Sequence, residues 1–161
     1  MNSGQLLHFS LVFHIIGLTI VGGSTLVAFV MQNHFWKQYE QDAGKAIGVM
    51  VANAKVPRIT MIGLLLLILS GMSMMMITQG VFGAQLWFKV KMIVLLMIII
   101  NAVILNRNNG AMLKRLITKD INGKEEVIPD LTSAKWRIRI FYLIQLSLIV
   151  TIFVLSVFKF N

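Results

Sequence analysis

Four long runs of apolar residues contain no Asp, Glu, Lys or Arg. They lie between Met1 and Lys37, between Arg58 and Lys89, from Met92 to Asn106, and from Ile140 to Phe158. A helix needs roughly 20 apolar residues to cross the hydrocarbon core of a bilayer. The pattern therefore predicts an all-α protein, a bundle of four transmembrane helices at about 6–31, 59–82, 86–106 and 138–158. The short connection between the second and third helices predicts that these two are antiparallel neighbours.

The composition agrees with a single integral membrane domain over residues 1–161. Hydrophobic residues make up 57% of the chain and the mean hydropathy is +0.81, unlike a soluble domain. The first apolar run is too long for a cleavable signal peptide and has no basic segment before it. The chain has no cysteine, which excludes disulfides, thiolate metal sites and thiol catalysis.

Positive charges are divided unevenly between the predicted loops. Four lie between the first and second helices and eight between the third and fourth, whereas the other hydrophilic segments carry only Lys159. By the positive-inside rule, both long loops are cytoplasmic and both termini lie outside. Anionic lipid headgroups account for the net charge of +9, so the expected partner is the lipid bilayer and not a nucleic acid.

Two basic side chains lie within membrane-length apolar segments, His14 in the first helix and Lys91 in the third. A charged base in hydrocarbon costs about 2.5–3.5 kcal/mol on insertion scales, so each needs a partner, a water path or a function. At 1.5 Å per residue, His14 lies about 12 Å and Lys91 about 7–8 Å from the same membrane surface. In a sequentially wound bundle the two helices are diagonal, and inward-facing bases on them can bracket a planar ligand such as haem.

Each of these side chains also has a simpler interpretation. Lys91 lies close enough to the outer surface to snorkel, and Lys89 does so more easily. A lone membrane histidine such as His14 often hydrogen-bonds a neighbouring helix. Asn101, which lies near the same helix face as Trp87 and Lys91, either shapes a ligand pocket or joins two helices.

Other chemistries are disfavoured by where the candidate residues fall. All six acidic residues lie in predicted loops, which argues against a proton-driven transporter with a carboxylate in its bundle. The methionines at 72 and 74–76 have no nearby histidine or cysteine, so apolar filling explains them better than a copper site.

Several stretches carry a resemblance to a known group. They are His14-Ile15-Ile16-Gly17 in the first helix, Trp87-Phe88-Lys89-Val90-Lys91 in the third, and Arg139-Ile140-Phe141 at the start of the fourth. In these the chain resembles the HemJ-type membrane protoporphyrinogen oxidases and the wider copper-resistance-D-like group of four-helix membrane proteins. The chain departs from that pattern at Tyr142–Gln145, where the family has Asn-Glu-x-Pro.

The resemblance implies a b-type haem with His14 and Lys91 as its axial iron ligands. Trp87, Gly17 and Asn101 would shape the pocket, and a porphyrin or another lipid-soluble redox substrate would enter from the membrane. The expected protein is an oxidoreductase-like, multi-pass protein of the bacterial cytoplasmic membrane. The alternative is a non-catalytic accessory subunit or stability factor of a larger membrane complex, and a homo-oligomer also remains open.

Overall fold

A computed structural model describes residues 2–105, 107, 110, 111, 115, 118 and 128–158. Five α-helices lie in this part of the chain: α1 (Ser3–Tyr39), α2 (Ala43–Asn53), α3 (Val56–Ile77), α4 (Leu86–Ile100) and α5 (Ile128–Val157). A 3-10 turn, Val81–Ala84, precedes α4, and a π-helical turn, Asn101–Leu105, extends it. The all-α prediction is confirmed.

Four helical segments are long and apolar enough to cross a membrane. They are Ser3–Tyr39, Gly44–Ile77, Leu86–Ile104 and Thr132–Val157. Large apolar side chains on all four are more than half exposed, among them Phe13, Ile62, Ile93 and Val150. Such a surface suits contact with acyl chains and not with water. The prediction of four membrane-length helices is confirmed.

The helix boundaries differ from the predicted ones for local reasons. α1 continues past residue 31 to Tyr39, because Phe35 and Trp36 are buried against α2. α3 ends before residue 82, because Gln79 and Gly80 adopt positive φ angles of 51° and 77° that a helix does not tolerate. The last helix begins at residue 128 and not at 138.

The short helix α2 is absent from the sequence-based prediction. Asp42 caps its first turn by accepting hydrogen bonds from the backbone N–H groups of Gly44 (2.9 Å) and Lys45 (3.3 Å). α2 then contributes Ala46, which is fully buried, to a cluster that also contains Phe35. α2 therefore packs against the carboxyl-terminal part of α1.

The two ends of the bundle differ in charge. We name one the basic end, defined by Lys37, Lys45, Arg58 and Lys135, which lie on α2 and on the described helices beside it. We name the other the turn end, because it holds the 78–85 connection between α3 and α4. Most of the long segment between α4 and α5 lies outside the described residues.

The membrane-length helices form two antiparallel pairs that meet through α1 and α5. α1 packs along α3, α4 packs against α5, and α1 also contacts α5. One core cluster takes residues from all four helices, including Leu18, Leu67, Val94 and Ile149. α3 and α4 share few direct backbone contacts, although their short connection predicts close neighbours. The arrangement places α1 and α4 diagonally.

Two glycines allow the closest approach of α1 and α3. A Cβ atom on Gly17 would lie 2.9 Å from the carbonyl oxygen of Gly63, and one on Gly63 would lie 2.7 Å from Ile20 Cγ2. Small residues at such crossings let helix backbones come together in lipid, where packing replaces the hydrophobic effect. This crossing lies three residues from His14 along α1 and so determines where that histidine meets α3.

Candidate functional site

His14 lies well inside α1, about 16 Å along the helix axis from its first residue. Its side chain is partly buried and faces α3. The imidazole Nδ1 lies 3.0 Å from Ser70 Oγ. A Cβ atom on Gly71 would lie 3.6 Å from the ring Cε1, so the glycine leaves room for the ring against α3. His14 thus makes the interhelical hydrogen bond that its simpler interpretation predicts.

The Ser70 hydroxyl lies within hydrogen-bonding distance of the Leu66 carbonyl oxygen at 2.6 Å, the Leu67 carbonyl oxygen at 3.2 Å and His14 Nδ1 at 3.0 Å. When Ser70 donates to a backbone carbonyl, as helical serines commonly do, its oxygen accepts a hydrogen bond from His14 Nδ1–H. A neutral imidazole protonated at Nδ1 keeps its unshared electron pair on Nε2, a nitrogen that binds metals.

Lys91, on α4, is hydrogen-bonded to a serine on α5, its partner in the second helix pair. Its Nζ donates to Ser156 Oγ at 3.0 Å, and Ser156 donates to the Ile152 carbonyl oxygen at 2.7 Å. The Lys91 side chain is partly buried, whereas Lys89 is exposed. Lys91 therefore makes an internal hydrogen bond, whereas Lys89 has the exposed position that snorkelling requires.

Both bases lie in the half of the bundle nearer the turn end, and each is anchored by a serine on the adjacent helix, Ser70 for His14 and Ser156 for Lys91. The Lys91 ammonium group lies within electrostatic range of the His14 imidazole. We name these four residues the two-base site.

Trp87 and Gly17 lie near the two bases and have structural contacts of their own. Trp87 is 7% exposed, four residues before Lys91, and its indole N–H donates to the Gln85 side chain. Gly17 lies at the α1–α3 crossing against Gly63. Trp87 therefore fixes the start of α4, and Gly17 fixes the spacing of the helices that hold His14.

Asn101 lies farther along α4, about 15 Å from Lys91 by helical rise. It is buried at the start of the π-helical turn, where its Nδ2 donates to Gln145 Oε1 at 2.7 Å and lies 3.5 Å from the Phe141 carbonyl oxygen. This is the interhelical contact that one of its two interpretations predicts. Asn101 joins α4 to α5 and does not touch the two-base site.

The serine and threonine partners were not foreseen from the sequence. Ser10 and Ser73 hydrogen-bond across α1 and α3 at 2.9 Å, and Ser24 and Thr60 do so at 2.8 Å. A signal was present, because positions 10, 14, 17, 21 and 24 follow the three-and-four spacing of one helix face. That face carries every α1 residue paired with α3 in these contacts.

The donor set of the two-base site consists of two nitrogen bases, His14 and Lys91. In residues 2–105 and the other described positions, no group of three or more His, Cys, Asp or Glu side chains could hold a metal. A porphyrin supplies four nitrogens itself and leaves two axial positions for the protein, so two nitrogen bases meet its ligand requirement.

Comparisons of the chain with protein-family models, with curated proteins and with solved structures gave no match.

Proposed function

We propose that the protein is a haem b-binding integral membrane redox protein with His14 and Lys91 as axial ligands. The observation that carries the proposal is the two-base site, in which two serine-anchored basic side chains on separate helices lie within electrostatic range of each other. Basic groups at membrane depth are costly and commonly functional. The resemblance to HemJ-type proteins selects the same pair.

The two bases have distinct roles in this proposal. His14 presents the unshared pair of Nε2, and its hydrogen bond to Ser70 fixes the ring orientation, as partners of metal-bound histidines do. Lys91, which donates to Ser156 in this structure, would hold the iron through its side-chain nitrogen as a neutral amine. Bound haem b supplies one-electron redox chemistry.

The three accompanying residues support the site at different distances. Trp87 is buried one helical turn before Lys91, and Gly17 sets the α1–α3 spacing beside His14. Asn101 acts indirectly by fixing α4 against α5. The few direct contacts between α3 and α4 favour lateral entry of a porphyrin or another lipid-soluble redox substrate. The reaction class is then an oxidation like that of the HemJ-type enzymes.

A reduced-minus-oxidised absorbance spectrum of the detergent-purified protein tests this proposal. The wild-type protein, from cells well supplied with haem, should show a b-type signal that His14→Ala and Lys91→Ala each abolish. His8→Ala and Lys89→Ala are matched controls, because both residues are exposed and near the same end of their helices. The controls should keep the full signal.

Two results would overturn the assignment. A colourless wild-type protein would remove haem binding altogether. A signal that survives unchanged in both His14→Ala and Lys91→Ala would leave haem binding in place but assign its iron to other ligands. Loss in only one variant would identify that residue as the single protein ligand.

A non-catalytic accessory subunit of a larger membrane complex is the second candidate. The serine hydrogen bonds that both bases already make favour it, because they give His14 and Lys91 a purely structural explanation. If this is the function, the purified protein should be colourless and should co-purify with a larger partner in mild detergent. The His14→Ala variant should still co-purify with that partner.

We further propose that the basic end faces the cytoplasm and both termini lie outside, in the bacterial cytoplasmic membrane. The natural absence of cysteine makes this simple to test with single-cysteine variants. Val81→Cys at the turn end should react with a membrane-impermeant maleimide in intact cells. Gln41→Cys at the basic end should react only after lysis, and the reverse pattern would invert the topology.

A further inference from the structure

A second candidate site lies at the basic end, far from the two-base site. A cavity of about 330 Å³ opens between α1, α2, α5 and the start of α3. Apolar side chains such as Phe35, Met50 and Ile138 form part of its wall. Gln32, which also lines it, lies 18 residues from His14 on α1, which corresponds to about 27 Å of helix.

Two polar atoms at this cavity have no hydrogen-bond partner in the described part of the chain. They are Gln32 Nε2, a donor, and Asn53 Oδ1, an acceptor. Gln32 is only 7% exposed, so bulk solvent reaches it poorly. Buried polar groups in native proteins are nearly always paired, and unpaired ones require an explanation. The cavity therefore suits a ligand that accepts one hydrogen bond and donates another.

The remaining polar groups of the cavity indicate a negatively charged ligand. Arg107 contributes a guanidinium group, and the described lining residues include no Asp or Glu. Tyr142 also lines the cavity, within hydrogen-bonding reach of Asn53. Guanidinium groups bind phosphate oxygens through paired hydrogen bonds.

The position of the cavity indicates that the ligand is a lipid. Pro57, in the cavity wall, stands at the first turn of α3, and the charge-free apolar run of that helix begins after Arg58, the next residue. Trp36 and Tyr39 lie close by, and both residue types are enriched at membrane interfaces. Basic pockets between transmembrane helices are known to hold anionic headgroups.

We propose that this cavity binds the headgroup of an anionic glycerophospholipid of the phosphatidylglycerol type. The phosphate diester accepts hydrogen bonds from Gln32 Nε2 and the Arg107 guanidinium group, and a glycerol hydroxyl donates to Asn53 Oδ1. The acyl chains remain in the bilayer beside the apolar wall. The inference is independent of haem binding, because the two sites share no residue.

Thermal unfolding of the purified protein in detergent tests the proposal with three added probes. Phosphatidylglycerol should raise the unfolding midpoint of the wild-type protein, and phosphatidylcholine should raise it several-fold less. Arg107→Gln and Gln32→Met should lose the response to phosphatidylglycerol. Arg58→Gln should keep it, because Arg58 is an exposed arginine at the same end that does not line the cavity.

Glycerol 3-phosphate, the third probe, separates a lipid from a soluble phosphate. If it raises the midpoint as much as phosphatidylglycerol, the ligand is a soluble phosphate and the lipid assignment is wrong. An equal response to the two phospholipids, or an undiminished response in Arg107→Gln, would also overturn the proposal. Without lipid, Gln32→Met should be at least as stable as the wild type, because the methionine removes an unpaired donor. Loss of the lipid response then does not reflect misfolding.

Discussion

Polar side chains are paired across helices along the membrane-length segments and left unpaired around α2 at the basic end. Along those segments they form the pairs Ser10–Ser73, His14–Ser70, Ser24–Thr60, Lys91–Ser156 and Asn101–Gln145. At the basic end, four buried polar atoms have no partner among the described residues, namely Gln32 Nε2, Trp36 Nε1, Tyr39 OH and Asn53 Oδ1. The same chain thus follows two rules for burying polar groups.

Membrane depth explains the difference. In the hydrocarbon layer no water can satisfy a polar group, and each unpaired one costs several kcal/mol. The paired serines and bases lie at that depth on the membrane-length helices. Near an interface, water and lipid headgroups can act as hydrogen-bond partners. Polar groups there can therefore stay unpaired within the protein and bind a ligand. We therefore expect the membrane-length helices to respond to loss of internal pairs and the region around α2 to respond to lipid.

Gly17→Ala should cause the largest loss of stability, because it disturbs the crossing that aligns the paired groups of α1 and α3. Its Cβ atom would lie 2.9 Å from the Gly63 carbonyl oxygen, a backbone atom that cannot move aside. Overpacking of this kind costs about 1–3 kcal/mol. Gly23→Ala is the matched control, because a Cβ there meets nothing within 4 Å. Unfolding in mixed micelles measures the stability of both variants. Equal stabilities would mean that Gly17 is not needed for the close approach of α1 and α3.

Asn101→Leu should come next, because it leaves Gln145 buried with an unpaired carbonyl oxygen. A group orphaned in this way costs about 1–3 kcal/mol. The double variant Asn101→Leu/Gln145→Leu removes both partners and should recover much of the loss. The four free energies of unfolding form a double-mutant cycle. Additive losses would show that the 2.7 Å contact does not couple α4 to α5.

Ser70→Ala should have a smaller effect on stability, because the average interhelical hydrogen bond in a membrane is worth about 0.6 kcal/mol. It should, however, free the His14 ring to rotate, since Ser70 Oγ accepts its Nδ1–H. If the protein binds haem, the visible spectrum should therefore shift or broaden in Ser70→Ala. Thr151→Ala, which removes only an exposed hydroxyl bonded within α5, should leave the spectrum unchanged.

Lys135→Ala should have the smallest effect, because its ion pair lies on the surface of the basic end. Lys135 Nζ is 2.8 Å from Glu40 Oε1, with 45% and 65% of the two side chains exposed. Such pairs contribute about 0–1 kcal/mol and weaken with salt. At low salt the free energy of unfolding of Lys135→Ala should be slightly lower than that of the wild type, and at high salt the two should be equal. A loss as large as that of Gly17→Ala would mean that the pair is shielded from solvent.

The sequence was sufficient for the four spans, because charge-free runs of membrane length admit few other structures. It did not reveal α2, whose eleven residues include Lys45 and are too short for a span. A helix start signal was nevertheless present at Asp42, whose side chain caps the first turn. Long apolar runs do not indicate α2, because this helix is stabilised by capping and by burial of Ala46.

The candidate site could be predicted in part. A base within an apolar run is visible in any sequence, and this identified His14 and Lys91. Their partners depend on how each helix is rotated about its axis, which the low amphipathicity of these spans does not reveal. Ser70 and Ser156 therefore became evident only in the folded chain. The cavity at the basic end was equally hidden, because its wall comes from segments distant in sequence.

The division into two helix pairs has a consequence for biogenesis. A ribosome delivers α1 and α3 to the membrane before α4 and α5 have been made, and the first pair already contains its glycine crossing and its serine hydrogen bonds. The second pair carries its own contact through Asn101 and Gln145. Each helix pair can thus insert and pack by itself, and the contact between α1 and α5 then joins the two pairs. Two separately translated fragments, divided at Gly80, should therefore reassemble in one membrane.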